Sequence, residues 1–415
     1  MSHWFHRNPI KASKTAKFEL KKAITNPECA KICSELRLRR EQFLDLLKSA
    51  TSDTDLVESE FTTYLRVLYG FPFNVQEPEG QSKLRYHGNF VWANSIIPDA
   101  FESSDSWFEV LNICVNYGIW QMKRAAYLSA KDDVSDLDAK RIHTALRKAA
   151  GIFDYVLNNR DKVGVIPNAA GNDLEERIIK VYSMQCKAEA QEVTIARAIE
   201  LKHSGKLISS LANETATIYN TCDKYLENFD PEHFDKWRKY FQLKNKFYLT
   251  YAYSYLVGQL LAEDKCGPAI RACKEGLTNY QMCSEICKLY SKANGPGFIA
   301  KPEKHLFFRR IEPTLKRHAE KAERENSMIY HDTVPEECPA LNEQAEFGLT
   351  TPIEFTYPPK AECWTLATYL AFDITQVDTP DFHAPKKTKK LEAVHEQKLY
   401  ETDRDPNNLS GCTIS

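Results

Sequence analysis

Apolar residues recur every three or four positions along most of the chain. Between Asn172 and His203 they do so on more than one side of the helical wheel. Ile178, Tyr182, Cys186, Ala190 and Val193 form one stripe, and Ala188, Ile195, Ala198 and Ile199 form a second. A helix apolar on two sides is sandwiched between neighbours, because each stripe gains free energy only when it leaves water. These 32 residues hold no Gly or Pro, so they predict a helix about 48 Å long. Asn172, with Glu175 three residues on, predicts a capping box at its start, and Ser204-Gly205 marks its end. From Lys206 to Asn228 the spacing resumes with Leu207, Ile208, Leu211, Thr215, Tyr219, Cys222 and Leu226. The two segments predict an antiparallel hairpin at the centre of a helical array.

The remaining pattern is mostly helical. Spacing predicts helices over 28–50, 53–69, 107–130, 135–159, 232–262, 269–291 and 302–326, with Ser135 and Asp138 forming a clean cap. Two short stretches, Thr15 to Leu20 and the aromatic run Tyr86 to Trp92, predict strands that pair in a small sheet. Residues 327–360 hold five prolines among scattered apolar residues. Such a segment is extended yet sticky, and is expected to wrap back along the helices. Trp364 to Phe372 is a last docking turn. Beyond residue 376 apolar positions thin out, and Pro385-Lys-Lys-Thr-Lys-Lys390 opens a polar tail expected to be disordered through residue 411.

Composition narrows the function classes. A net charge of −2 gives no electrostatic case for nucleic acid. Twelve cysteines without a secretory signal suggest reduced thiols in the cytosol. Phe247 to Ala262 is the longest uncharged run, and at 16 residues with four tyrosines it reads as a buried helix rather than a membrane span. Ser2 stands where myristoylation requires glycine.

Catalytic patterns are weak. Cys33 to Arg39 has the C-x5-R spacing of phosphatase loops, but it lacks the glycines that let backbone N–H groups cradle phosphate. Cys29/Cys33 and Cys283/Cys287 have helical spacing and read as buried thiols rather than metal ligands. No phosphate-binding glycine loop, nucleophile elbow or dinucleotide fingerprint occurs. The carboxylates are scattered and expected on solvated helix faces. The chain is therefore expected to be neither an enzyme nor a cofactor or metal binder, with no small-molecule substrate.

Several runs resemble one family. Ala188-Glu-Ala-Gln-Glu192 with Leu207-Ile-Ser-Ser-Leu-Ala-Asn213, Glu263-Asp-Lys-Cys-Gly-Pro-Ala-Ile-Arg271 and Ile329-Tyr-His-Asp-Thr-Val-Pro335 are similar to segments of the Bro ("Bro-one") domain of Alix-type ESCRT adaptors. Trp4 to Ile10 and Cys412-Thr-Ile-Ser415 resemble a single-domain member of it. The resemblance implies an all-α-dominated, elongated, curved α-solenoid over residues 1–375, with tetratricopeptide-like hairpins and a small N-terminal β-sheet. It further implies a concave apolar groove that receives the amphipathic C-terminal helix of an ESCRT-III subunit, a charged multivesicular body protein (CHMP). Matched residue by residue, the groove falls on Leu207 and Leu211, with Thr194 where the family carries an aromatic residue. Ile208, His203 and Phe347 are edge candidates. Helical spacing alone allows Leu207, Ile208 and Leu211 to be either core or an exposed face. Tyr330 falls in the late Tyr-containing run, as a second or regulatory site or as a core hydroxyl.

Residues 412–415 fit a CaaX box, with terminal Ser favouring a farnesyl group on Cys412. One such chain anchors weakly, so a second membrane signal is needed. The expectation is a monomeric adaptor on the cytoplasmic face of endosomal or nuclear-envelope membranes. The rival is a general tetratricopeptide-like scaffold without lipid or ESCRT role.

Overall fold

The computed structural model describes residues 3–18, 26–77, 80–130, 134–297, 302, 306–341, 345, 348–376 and 385–399. Ten helices are assigned among them: α1 (Pro27–Leu46), α2 (Thr54–Leu68), α3 (Ser106–Ser129), α4 (Asp136–Asn158), α5 (Glu176–Glu200), α6 (Gly205–Leu226), α7 (Pro231–Ala262), α8 (Cys266–Lys292), α9 (Leu306–Glu325) and α10 (Leu366–Leu370). From α3 to α9 each packs on the next, giving the curved α-solenoid that the sequence predicts.

Local chemistry sets the boundaries. The side chains of Asp53, Ser135 and Asp230 accept N-terminal amides of α2, α4 and α7, and Pro231 follows its cap. The start of α5 departs from expectation. Asn172 caps a preceding turn by accepting Leu174 N at 2.9 Å, while Glu175 is the last non-helical residue before the helix. The helix thus spans 25 residues instead of 32. At its other end Lys202 takes a positive φ of 56°, and Ser204 caps α6.

The sheet is larger than expected. β1 (Lys17–Phe18) pairs with β2 (Gly88–Ala93) as predicted, and β2 pairs with β3 (Ala100–Ser103). A fourth strand, β4 (Lys386–Thr388), comes from the C-terminal tail and pairs antiparallel with β3. Over residues 385–399 the structure corrects the expectation of disorder; residues 377–384 and 400–411 lie outside the described residues. Residues 385–399 lie on the body, where Glu396 pairs with buried Lys123 and accepts Ile10 N at 2.9 Å. Gln397 N donates to Lys48 O at 3.0 Å, and Leu399 is buried. The missing apolar periodicity is real, but sheet pairing and one buried ion pair hold this segment instead.

Residues 348–372 form a strap, as the sticky pattern predicts. It runs back over α6, α5, α4 and α2. Ile353 N donates to Arg147 O, Tyr357 Oη to Leu65 O and Trp364 Nε1 to Val67 O. Gly151 makes the α4 crossing feasible: a Cβ there would stand 1.7 Å from Ile353 O.

Candidate functional site: the α5–α6 wall and its strap

The wall begins with a buried ionic centre that sequence reading placed in solvent. Glu189 and Glu192, in the Ala-rich run of α5, are both fully buried. An N-terminal arm, His3 to Ala16, threads against α5 and supplies cations. Arg7 donates to both Glu189 oxygens at 2.7 Å, and Tyr240 Oη donates to Glu189 at 2.7 Å. Lys244 Nζ lies 2.7 Å from Glu192 Oε2, His3 Nδ1 lies 3.7 Å from it, and Tyr219 also donates to Glu192. Lys11 pairs with Asp173 at 3.0 Å. Farther along, Glu109 accepts from Arg40, Tyr64 and Trp92. These carboxylates are buried because each has a fixed cation or donor; unpaired, they would cost several kcal/mol each.

Titration follows from that burial. Burial alone would raise the Glu192 pKa, yet Lys244 and then His3 outweigh it and hold the carboxyl below its ordinary value. Burial pushes His3 down, against the pull of Glu192, and pushes His6 down to about 3.

Beyond this centre lie the groove candidates. Ile208 and Leu211 are buried, each only 1% exposed. Leu207 and Thr194 are half-buried, and His203 is exposed in the α5–α6 turn. The groove placed on Leu207, Leu211 and Ile208 is therefore corrected for Ile208, which packs into the core, and for Leu211. The strap covers it. Gly348, at φ +82°, lies so close that a Cβ would stand 3.4 and 3.5 Å from Leu211 Cδ1 and Cδ2, and 4.0 Å from Thr194 Cγ2. Gln191 fixes this crossing, donating to Gly348 O at 2.9 Å and accepting Thr350 N at 2.8 Å. Arg147 donates to Thr351 O at 2.6 Å, and Leu349 remains exposed. Thr194 Oγ1 faces Ala190 O at 3.4 Å and His143 Nε2 at 3.5 Å. The structure thus brings Thr194, Leu207 and Leu211 onto one wall and adds Gln191 and Gly348, which sequence reading missed. Phe347 and Cys412 lie outside the described residues.

Other candidates stand apart. Tyr330 is exposed, and its hydroxyl donates to Asp264 Oδ1 at 2.6 Å, so it is not a core hydroxyl. Cys33 is buried inside α1, and burial pushes its thiol up to about 12, against thiolate chemistry. Asp230, Glu232 and His233 are the one group with metal-ligand spacing found among the described residues, but Asp230 is engaged in capping α7. No described helix is long and apolar enough to cross a membrane.

A curved helical solenoid with a strap across its central hairpin defines a class, and the chain belongs to it: the BRO1-like domain family, whose pattern matches residues 16–368. Among curated relatives, the chain is 46% identical over 427 residues to the "BRO1 domain-containing protein BROX homolog" of Caenorhabditis elegans, covering 100% of both chains. It is 41% identical over 379 residues to the "BRO1 domain-containing protein BROX" of Homo sapiens, covering 91% of this chain and 92% of that one. Among solved structures, a Bro1 domain described under "endosomal targeting" superposes with a TM-score of 0.62 at 17% identity, covering 85% of this chain and 94% of the other. An "ALIX BRO1 CHMP4C complex" gives 0.61 at 16% identity, covering 87% and 99%. At these identities the structural likeness establishes the fold.

Proposed function

We propose that this protein is a non-enzymatic adaptor whose α5–α6 wall receives the amphipathic C-terminal helix of an ESCRT-III CHMP subunit. The observation that carries the reading is the wall itself: half-buried Leu207 beside Leu211 and Thr194, edged by a strap held through Gln191. A partner helix presents apolar anchors at i, i+3 and i+4, and leucines one turn apart, about 6 Å, suit that rise. The likeness to a Bro1 domain described in complex with CHMP4C supports the choice of partner. A partner seats on Leu207 and meets Leu211 only where the Gly348 crossing yields.

The second half of the reading is attachment. A farnesyl group on Cys412 holds the monomeric adaptor at the cytoplasmic face of endosomal or nuclear-envelope membranes. The Cys412-Thr-Ile-Ser415 sequence supports it.

Two measurements test these statements separately. Titrating a panel of CHMP C-terminal peptides into the full chain is expected to give saturable binding by at least one. Binding by none overturns the adaptor reading. Intact-mass analysis from cells is expected to show a processed, lipid-bearing C-terminus that Cys412→Ser abolishes; an unmodified Cys412 overturns the attachment.

A further inference from the structure

Helix α9 presents an outer face that the solenoid leaves unused. Phe308, Ile311, Leu315 and Ala322 turn inward and are buried. On the opposite side, Arg317, Lys321 and Arg324 fall within about 40° of Arg310 at 100° per residue, and all four are exposed. Arg309 is exposed beside them. Arg309, Arg310 and Arg317 surround an open cleft of about 400 Å³ at Pro313 and Thr314. The nearby lysines are matched, Lys316 to Glu312 at 2.8 Å and Lys321 to Glu325 at 3.7 Å. Arg309, Arg310, Arg317 and Arg324 have no carboxylate partner among the described residues. The unmatched acids Glu320 and Glu323 sit off the stripe, about 80° and 140° round the wheel.

The end of this stripe is apolar. After Glu325 the chain makes a π-helical turn, Asn326–Tyr330, which leaves Met328 74% and Ile329 65% exposed. That turn is held in place. His331 N donates to Asn326 O at 2.8 Å, the Asn326 side chain pairs with both backbone groups of Asp332, and Tyr330 is tied to Asp264. Two large apolar side chains are thus fixed outward at the end of a row of unpaired guanidiniums.

We propose that the α9 face and the Met328–Ile329 turn form a docking surface for an anionic lipid bilayer. Guanidiniums bind phosphate oxygens in a planar fork, and a bilayer offers such oxygens in a continuous sheet. An acidic protein would complement the arginines equally but gives no reason to hold Met328 and Ile329 outward. A bilayer does, because beneath its phosphates lies hydrocarbon. The surface is separate from the α5–α6 wall and does not depend on Cys412.

The test uses full-length Cys412→Ser protein, so that no lipid anchor contributes. It is sedimented with phosphatidylcholine vesicles with or without about 30 mol % phosphatidylserine. Binding is expected to be at least tenfold stronger on the anionic vesicles and to weaken steeply with salt. Arg310→Glu with Arg317→Glu is expected to lower it about tenfold or more. Met328→Ser with Ile329→Ser is expected to lower it severalfold and to remove the fraction that survives high salt. Both are surface changes, so melting temperature and CHMP-peptide affinity are expected to stay unchanged. Equal binding to both vesicles, no binding, or variants that bind like the parent overturn the proposal. So does retention on immobilised polyglutamate without vesicle binding, which assigns the face to an acidic protein.

Discussion

The buried base of the α5–α6 hairpin and its wall share the same turns of α5, Gln191 lying between Glu189 and Glu192, yet they are held in opposite ways. At the base, Glu189 and Glu192 are buried with their cations, and every cation comes from another element. Removing one member leaves a charge in the interior. At the wall, the strap touches Leu211 through a glycine and is tied by two neutral hydrogen bonds from Gln191. Those bonds exchange readily with water, at a net cost of about 1 kcal/mol each. The contrast separates framework from working surface. The base fixes where the hairpin stands, and the wall is covered by a segment whose ties at the Gly348 crossing are the weaker ones.

The largest expected effect lies at the base. Glu189→Gln leaves Arg7 without its carboxylate at a site closed to water, and is expected to cost about 3–5 kcal/mol. A thermal melt checks this, and a change under about 1 kcal/mol would mean that water or another group takes over.

Removing the chain after residue 376 comes next. It takes away β4 and Glu396, leaving Lys123 buried without that partner. Several degrees of lost melting temperature are expected; an unchanged melt would return the tail to the disordered state read from its composition.

Acid gives a smaller, graded effect at the base. His6, with its pKa near 3 in the folded chain against an ordinary 6.5, binds fewer protons there than unfolded. Its contribution is complete above about pH 6.5 and is lost as pH falls toward 3. His3 shifts in the same direction, and lowered Glu192 adds a further loss only as pH falls through the carboxylate range. Near pH 5.5 the expected loss from His6 is about 1 kcal/mol. Melting curves across this range check it, and His6→Gln is expected to flatten part of the slope.

The smallest effect is at the wall. Gln191→Ala is expected to speed amide exchange at Thr350 while lowering global stability by no more than about 2 kcal/mol. Unchanged exchange would mean the strap is held from elsewhere.

Much of the framework was legible in the sequence. The periodicity of α5 and α6, the Ser135 cap and the pairing of β1 with β2 each rest on local signals. The buried carboxylates had one too: Glu189 and Glu192 sit in a helix apolar on two sides, which leaves them little solvent to face. What no spacing could supply was their partners, since Arg7 and Lys244 approach from 182 and 52 residues away. The wall was half legible. Leu207 and Leu211 were found, but whether Leu211 is open depends on Gly348, far along the chain, and a glycine carries no hydrophobic signal. β4 was invisible for a similar reason, because an exposed, lysine-rich edge strand has no apolar alternation.

Partner binding at the wall is tested most directly at Leu207. It is the third residue of α6, its amide is capped by Ser204 Oγ at 3.3 Å, and it is only half-buried. A carboxylate there faces the positive end of the helix dipole, which offsets part of the lost packing. Leu207→Asp is therefore expected to fold with a melting temperature within a few degrees of the parent. A fully buried leucine contact is worth about 1.5–3 kcal/mol, so calorimetry with a CHMP C-terminal peptide should show affinity reduced by roughly tenfold to a few hundredfold. Affinity equal to the parent's, in a variant that melts normally, would contradict the placement of the binding site on this wall.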